Sequence, residues 1–240
     1  MRALTLTDPA LIAPKVPTYG AVVAALSPIA YWPMQETSGT TMTAATGNNG
    51  SYANGPTLAV AGPSAKIPNA VSFDGSNDYA SAAIDLSAVA EITVSFWMWL
   101  ASYSNDDRMG LELSSTPDSV RSFSIDPNHY IGSGFCGVMA QGNSNWRAYR
   151  ITRPSTSTWH HYAVRFSRTA QTVTFVVDGS VSSPTQSLSG TVSGNFVSST
   201  LYFMSRGGAS LFCAGRLAQV AVFSGLLSDA SCGLLYAAGA

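Results

Sequence analysis

The stretch EITVSFWMWL, residues 91–100, restricts the folds open to this chain more than any other segment. Ile92, Val94, Phe96, Met98 and Leu100 fall on one face of an extended strand, and Thr93, Ser95, Trp97 and Trp99 on the other. Period two with large apolar residues on both sides marks a strand inside a layered structure, not a ribbon with one wet face. WHHYAVRFS (159–167) repeats the pattern, with Tyr162, Val164 and Phe166 opposite His161, Ala163 and Arg165. After SRTAQ comes TVTFVVDGS (172–180), which reads as the second arm of a hairpin followed by an Asp-Gly turn. Further strands are expected at 68–73, 78–84, 109–114, 120–126, 135–140, 147–152, 200–204 and 211–223, separated by turns rich in Gly, Ser, Asn and Pro. One helix is expected, in LSDASCGLLYAAGA, with Ser228 as N-cap and Leu234, Leu235 and Tyr236 as packing residues.

At 240 residues the chain can form one large sandwich or barrel, or two small domains. Charged residues are only 10% of it, so the polar surface must be built from Ser, Thr, Asn, Gln and Gly. A formal net charge of −1 offers no basic field for nucleic acid. Arg outnumbers Lys ten to two, which suits interface contacts and equally fits codon bias. The three cysteines, Cys136, Cys213 and Cys232, fit no disulfide framework or paired metal motif and read as small buried hydrophobes.

The first 27 residues differ from the rest. Pro9, Pro14, Pro17 and Pro28 punctuate an apolar stretch and argue against a long helix or a central strand. The expectation is an extended N-terminal arm, 1–27, ordered only where it docks on its own domain or a neighbouring chain. Asp8, Lys15 and the prolines interrupt any secretory h-region, and no run of 18 apolar residues spans a membrane.

Taken in order, five segments resemble the laminin G-like branch of the concanavalin A-like jelly rolls. AYWPMQETSGTTMTAATGNNGSYANG (30–55) looks like the opening strand and its loop, and NAVSFDGSNDYAS (69–81) like the first hairpin. EITVSFWMWL looks like the long core strand. WHHYAVRFSRTAQTVTFVVDGS resembles the Trp-His strand with its hairpin, and GRLAQVAVFSGLLSDASCGLLYAAG (215–239) the last strand and closing helix. The resemblance implies an all-β fold, an antiparallel two-sheet sandwich over 28–240 with six or seven strands per sheet and a short C-terminal helix. It also implies a glycan-binding or protein-binding module of the kind found in virion proteins, adhesins and appended enzyme modules.

Catalysis finds little support in the residues. Glycosidases of the resembled fold carry their carboxylates in an E-x-D-x-E strand, and neither Glu36, Glu91 nor Glu112 begins one. No GxSxG or HExxH occurs. His160 and His161 point to opposite faces of one strand and cannot both ligate one metal without distortion; His129 is expected in a turn. Asp74 and Asp78 invite a calcium reading, but the EF-hand template fails at Tyr79 and Asp85. The resemblance keeps a structural calcium open, with Asp74, Asp78 and Asp178 as candidate ligands. For a glycan, the candidate stretch is QGNSNWRAYR (141–150), with Asn143, Asn145, Trp146, Arg147 and Tyr149. Tyr103, Asp106, Asp107 and Arg108 are weaker candidates.

These readings combine into a non-enzymatic virion protein, a phage head-decoration or tail-associated component assembled in the host cytoplasm. Its expected partners are other virion proteins and copies of itself, with no nucleic acid and no membrane. The alternative is a lectin or adhesin that recognises host surface glycans.

Overall fold

The computed structural model describes residues 17–104, 107–114, 120–128, 134–142 and 144–240. Helix α1 (Tyr19–Ala25) precedes the short strands β1 (Ala30–Trp32), β2 (Thr41–Met42) and β3 (Gly50–Ala53). Longer strands follow: β4 (Thr57–Ser64), β5 (Ile67–Asp74), β6 (Tyr79–Asp85) and β7 (Glu91–Trp99). Then come β8 (Leu111–Leu113), β9 (Phe123–Asp126), β10 (Phe135–Ala140), β11 (Trp146–Ile151) and β12 (Trp159–Ser167). The chain closes with β13 (Thr172–Val177), β14 (Ser180–Ser182), β15 (Thr185–Ser189), β16 (Ser198–Phe203), β17 (Ala214–Ser224) and helix α2 (Asp229–Gly239).

The strands form two antiparallel sheets. The first, of eight strands, runs β14-β13-β12-β7-β17-β5-β4, with β1 also on β17. The second, of nine, runs β15-β11-β10-β9-β8-β16-β6-β3-β2. The all-β sandwich is therefore as expected, but each sheet is larger than six or seven strands. The additions include β2, β3, β14 and β15, short segments rich in Gly, Ser and Thr whose pattern is too brief to register as period two.

Between the sheets lies one apolar core. Tyr162 of β12 stacks on Phe96 of β7 at 5.2 Å and on Phe135 of β10, in the opposite sheet, at 4.6 Å. Trp32 meets Phe203 edge-on at 5.3 Å. Such paired rings hold the sheets together by burial plus about 0.5–1.5 kcal/mol per pair.

The first sheet is also buried on its outside. Trp97, Ala218, Ala221 and Phe223 point away from the sandwich core and pack under Tyr19 and Val23 of α1 and Leu235 of α2. Ala163 and Val176 pack under Cys232 of α2. Gly239 is needed where α2 meets the sheet, because a Cβ there would sit 2.8 Å from Ile67 and Trp97.

Three expectations need correction. Residues 19–25 are not extended: α1 is a seven-residue helix, capped by Thr18 after Pro17 and held by Tyr19 and Val23. Prolines at 14, 17 and 28 leave room for a short helix between them. Residues 1–16 of the arm, Asp106, His129 and Asn143 lie outside the described residues. Second, NAVSFDGSNDYAS is not a hairpin, since β5 belongs to the first sheet and β6 to the second. It is an arch from one layer to the other. Third, Leu234 of α2 is exposed, while Leu235 and Tyr236 pack as expected and are joined by Cys232 and Gly239. The hairpin β12–β13 stands, with Ser167 opposite Thr172, and β13 then turns into β14 at Asp178 and Gly179, both at positive φ, with Val177 opposite Ser180. Ser228 caps α2 as read, and all three cysteines are buried and free.

Truncating the ring that bridges the layers, Phe135→Ala, is expected to cost about 3–5 kcal/mol in urea unfolding. Val181→Ser, on the exposed face of an edge strand, is expected to stay within about 0.5 kcal/mol.

Candidate functional site

The Asp74–Asp78 turn spends its carboxylates on itself. Asp74 Oδ1 accepts from the backbone N–H groups of Ser76 (2.7 Å), Asn77 (3.3 Å) and Asp78 (3.4 Å). Asp78 Oδ2 accepts from Asp74 N–H at 3.2 Å. The Ser76 N–H bond leads in lowering the Asp74 pKa, while burial raises that of Asp78. This is the chemistry of an Asx turn that fixes the arch. The third candidate ligand, Asp178, lies four strand positions across the first sheet, roughly 19 Å away at the usual sheet spacing. The three cannot share an ion. Among the described residues no group of three or more His, Cys, Asp or Glu gathers as a metal requires.

Asp178 instead binds the two histidines of β12. His160 Nδ1 lies 2.6 Å from Asp178 Oδ2, and the His161 backbone N–H donates to Asp178 Oδ1 at 2.9 Å. On the other side of the ring, His160 Nε2 sits 3.0 Å from Ser155 Oγ. The order Ser–His–Asp is that of a hydrolase triad. A general base, however, needs a lone pair on Nε2, and here that nitrogen also faces the Ser155 carbonyl oxygen at 3.1 Å. A carbonyl can only accept, so Nε2 carries its proton. The hydrogen bond to Asp178 leads in raising the His160 pKa, which suits an imidazolium donating from both nitrogens. The arrangement is a clamp tying the β11–β12 loop to the β13–β14 turn.

The glycan candidates divide between faces. Tyr149 packs against the inter-sheet core beside Ile151. Arg147 donates from Nε to Gly190 O at 2.9 Å and from Nη2 to Ser189 O at 3.0 Å, so its fork is engaged by β15 and the residue after it. Alternation places Trp146 and Arg150 on the outer face of the second sheet. Asn145 lies in the β10–β11 turn, where its carbonyl accepts from Gln141 N–H at 2.9 Å. Arg168 supports that turn. Among the described residues its fully buried guanidinium has no carboxylate partner, and it donates to the carbonyls of Ala140, Ser193 and Gly194 and to Gln141 Oε1. Burial lowers its pKa to about 10. Along the β11–β15 edge a cleft of about 280 Å³ is lined by Arg150, Ile151, Thr152, Ser183 and Thr185. One guanidinium and three hydroxyls give the cleft a hydrogen-bonding lining.

A charged centre not visible in the sequence lies further in on the same outer face. Glu112 of β8 and Asp126 of β9 are diagonal neighbours, since Leu111 pairs with Ile125 and both leucine and isoleucine face the core. Arg206 Nε donates to both Glu112 oxygens, at 3.1 and 3.0 Å. Burial leads in raising the Glu112 pKa, against Arg206. Burial and then the Glu112 charge push Asp126 well above the carboxylate range, and Asp107 adds to this. Of the weaker glycan candidates, Asp107 thus belongs to this centre, and Tyr103 donates to Pro154 O under the Arg153 guanidinium. The signal for Glu112 was an acid between two leucines at a strand's outward position. Its pairing with Asp126 needed the register. Glu112 is 3% exposed and Asp126 2%, which leaves no surface against which a sugar ring could sit for hydrolysis.

A model of the concanavalin A-like lectin/glucanases superfamily matches residues 74–231. A search of curated proteins finds no sequence match. Among solved structures, the chain is similar to domain 4 of AbnA, a GH43 extracellular arabinanase of Geobacillus stearothermophilus, in complex with arabinotriose. That likeness has TM-score 0.60 and 14% identity, covering 87% of this chain and 98% of that one. The botulinum neurotoxin serotype D binding domain matches at TM-score 0.63 and 11% identity, covering 90% of this chain and 52% of that one. The binding domain of Paraclostridial Mosquitocidal Protein 1 matches at 0.63 and 13%, covering 87% and 51%. The chain thus spans about half the length of the toxin binding domains. At these identities the likeness shows the fold.

Replacing Arg206 with Met would leave the buried Glu112 carboxylate without its cation, and an unfolding cost of about 3–5 kcal/mol is expected. Adding Glu112→Gln should recover part of it. In a histidine NMR titration, His160 is expected to titrate above 6.5, and His161 in the closed fold to stay neutral to about pH 3. The His160 contribution to stability is full below pH 6.5 and fades as pH rises through its folded pKa. That of Asp178, whose pKa is lowered with His160 the leading favourable partner, fades as pH falls through its own.

Proposed function

This chain belongs to the concanavalin A-like lectin/glucanases superfamily, and from that premise we propose that it is a non-catalytic recognition module. It binds glycan along the outer face of β11, and its N-terminal segment ties it to a larger assembly, a phage virion built from other structural proteins and copies of itself. The observation that carries the glycan part is the cleft at Arg150, Thr152, Ser183 and Thr185. Sugars are recognised by hydroxyls and planar forks flanked by an apolar ring face. Trp146, on the same face four residues from Arg150, supplies such a ring about 13 Å along the strand, a span suited to a short oligosaccharide. The buried state of Glu112 and Asp126 favours binding over hydrolysis.

The assembly part rests on two features. The N-terminal segment leads into α1, which is anchored on the sandwich by Tyr19 and Val23. The surface is poor in charge, and contacts between copies need not desolvate many ions.

On a glycan array, the intact protein is expected to bind a defined oligosaccharide class, and Trp146→Ala or Arg150→Ala to weaken it about tenfold or more. Unchanged binding in both variants would sink the site. Deleting residues 1–16 should leave glycan binding intact and abolish incorporation into the particle. Incorporation at full occupancy would refute the anchoring role.

A further inference from the structure

Beneath α1 lies a polar chain that neither glycan binding nor assembly uses. The Tyr19 hydroxyl, buried, sits beside Ser95 and the Trp97 indole N–H. Ser95 Oγ is 2.9 Å from His161 Nε2. His161 has no exposed surface, and its ring is boxed by Trp97 at 5.2 Å and Tyr236 at 6.4 Å. His161 Nδ1 is buried without a hydrogen-bond partner.

A neutral imidazole is tolerated here, but an imidazolium is not. The strip of β7 that faces it, Thr93, Ser95 and Trp97, holds no ionisable group. Helix α1 offers Tyr19, β1 offers Tyr31 behind it, and α2 offers Tyr236; none is an anion at acid pH. Asp178 is the nearest carboxylate, and His160 and the His161 backbone N–H engage both its oxygens. Arg165, on the same face of β12, is a cation paired with Asp229 at 2.7 Å. A proton on His161 must therefore be relieved by admitting water.

We propose that α1 is an acid-released latch: protonation of His161 displaces this helix from the outer face of the first sheet and bares Tyr31, Ala218 and Phe223, while Trp97 stays under α2. Of the two covering helices, α1 is the weaker. It has seven residues and two buried side chains. Helix α2 has eleven residues, buries Cys232 and Leu235, and lays Gly239 flat on the sheet. Its C-terminal end is further held by Lys66 Nζ, which donates to the carbonyls of Ala237 (3.1 Å) and Ala240 (2.7 Å), and by Ser64 Oγ on Gly239 O (2.6 Å). Off the sheet, a helix as short as α1 does not persist in water. Burial holds the His161 pKa down to about 3, against 6.5 when solvated. The opening equilibrium at pH 4.5 is then about a hundredfold larger than above pH 7.

Hydrogen exchange on the full chain at pH 7.5 and 4.5, corrected for intrinsic exchange, tests this. The α1 amides are expected to lose protection about a hundredfold while β7, β12 and α2 keep theirs, and His161→Gln is expected to abolish the difference. Protection of α1 that ignores pH, a loss that persists in His161→Gln, or parallel loosening of β7, β12 and α2 would each overturn the latch. Should His161→Gln fail to fold, NMR of the unaltered chain decides instead. In the population whose α1 amides are exposed His161 must carry its proton, and a neutral His161 there overturns the proposal.

Discussion

The structure depends on a sheet that cannot show either face to water. Strand β7 carries Phe96 and Met98 inward and Trp97 outward, all buried. Facing a second sheet solves half of that problem. The other half requires a cover, and α1 and α2 supply it. Most of the distinctive detail follows from this one demand. Gly239 is small because α2 lies flat on Trp97, and Lys66 and Ser64 cap that helix because its end is pressed against β5 and the β4–β5 turn. His161 is neutral because the cover excludes water from the polar row it shares with Ser95 on the outer face. The long strand β17 is shared in the same way. A bulge at Gln219 lets β5 pair with its first half and β1 with its second, and Tyr31 donates to the Gln219 side chain across the junction.

With so few charges, their placement is informative. Several are turned inward or onto the backbone rather than displayed. Arg168 organises the β10–β11 turn through carbonyls, Arg147 fastens β15, and Asp178 joins two histidines to a turn. Arg206 neutralises Glu112 beneath the outer face. A guanidinium satisfied by neutral carbonyls is pre-organised and cannot be outcompeted by a passing anion, so it makes a durable brace. What remains outside is largely hydroxyl and amide. Such a surface recognises by hydrogen-bond geometry and ring faces, with little long-range steering.

The sandwich was legible in the sequence wherever a strand was long enough for alternation to repeat, as in β7, β12 and β13. The Asp-Gly turn at 178–179 was legible because a two-residue loop with positive φ at both positions leaves few residue choices. Strands β2 and β3 were not, since two to four residues of Thr, Gly and Ser carry no period. Helix α1 was hidden by its prolines, which bound it without entering it. The candidate ligand stretch was half legible. Composition marked Trp146, Arg147 and Tyr149 together, yet alternation sends Arg147 and Tyr149 to the opposite side from Trp146. The Glu112–Asp126–Arg206 centre was not legible at all, because it is assembled by strand register across residues far apart in the chain.

The arch at Asp74–Asp78 shows why pattern and topology are separate information. In a hairpin, the inward residues of both strands would lie on one face of one sheet. In the arch, Val71 and Phe73 point into the core from the first sheet, and Ala80, Ala82 and Ile84 point into it from the second. Each strand alternates the same way in both cases, so hydrophobic period alone cannot choose between them. The turn can. A two-residue loop would have forced pairing, whereas the four residues between β5 and β6 are folded onto the Asp74 carboxylate and cross the thickness of the sandwich. The acids that look like ion ligands are thus the residues that make the crossing possible, and their hydrogen bonds to the turn backbone leave too few oxygens for a cation.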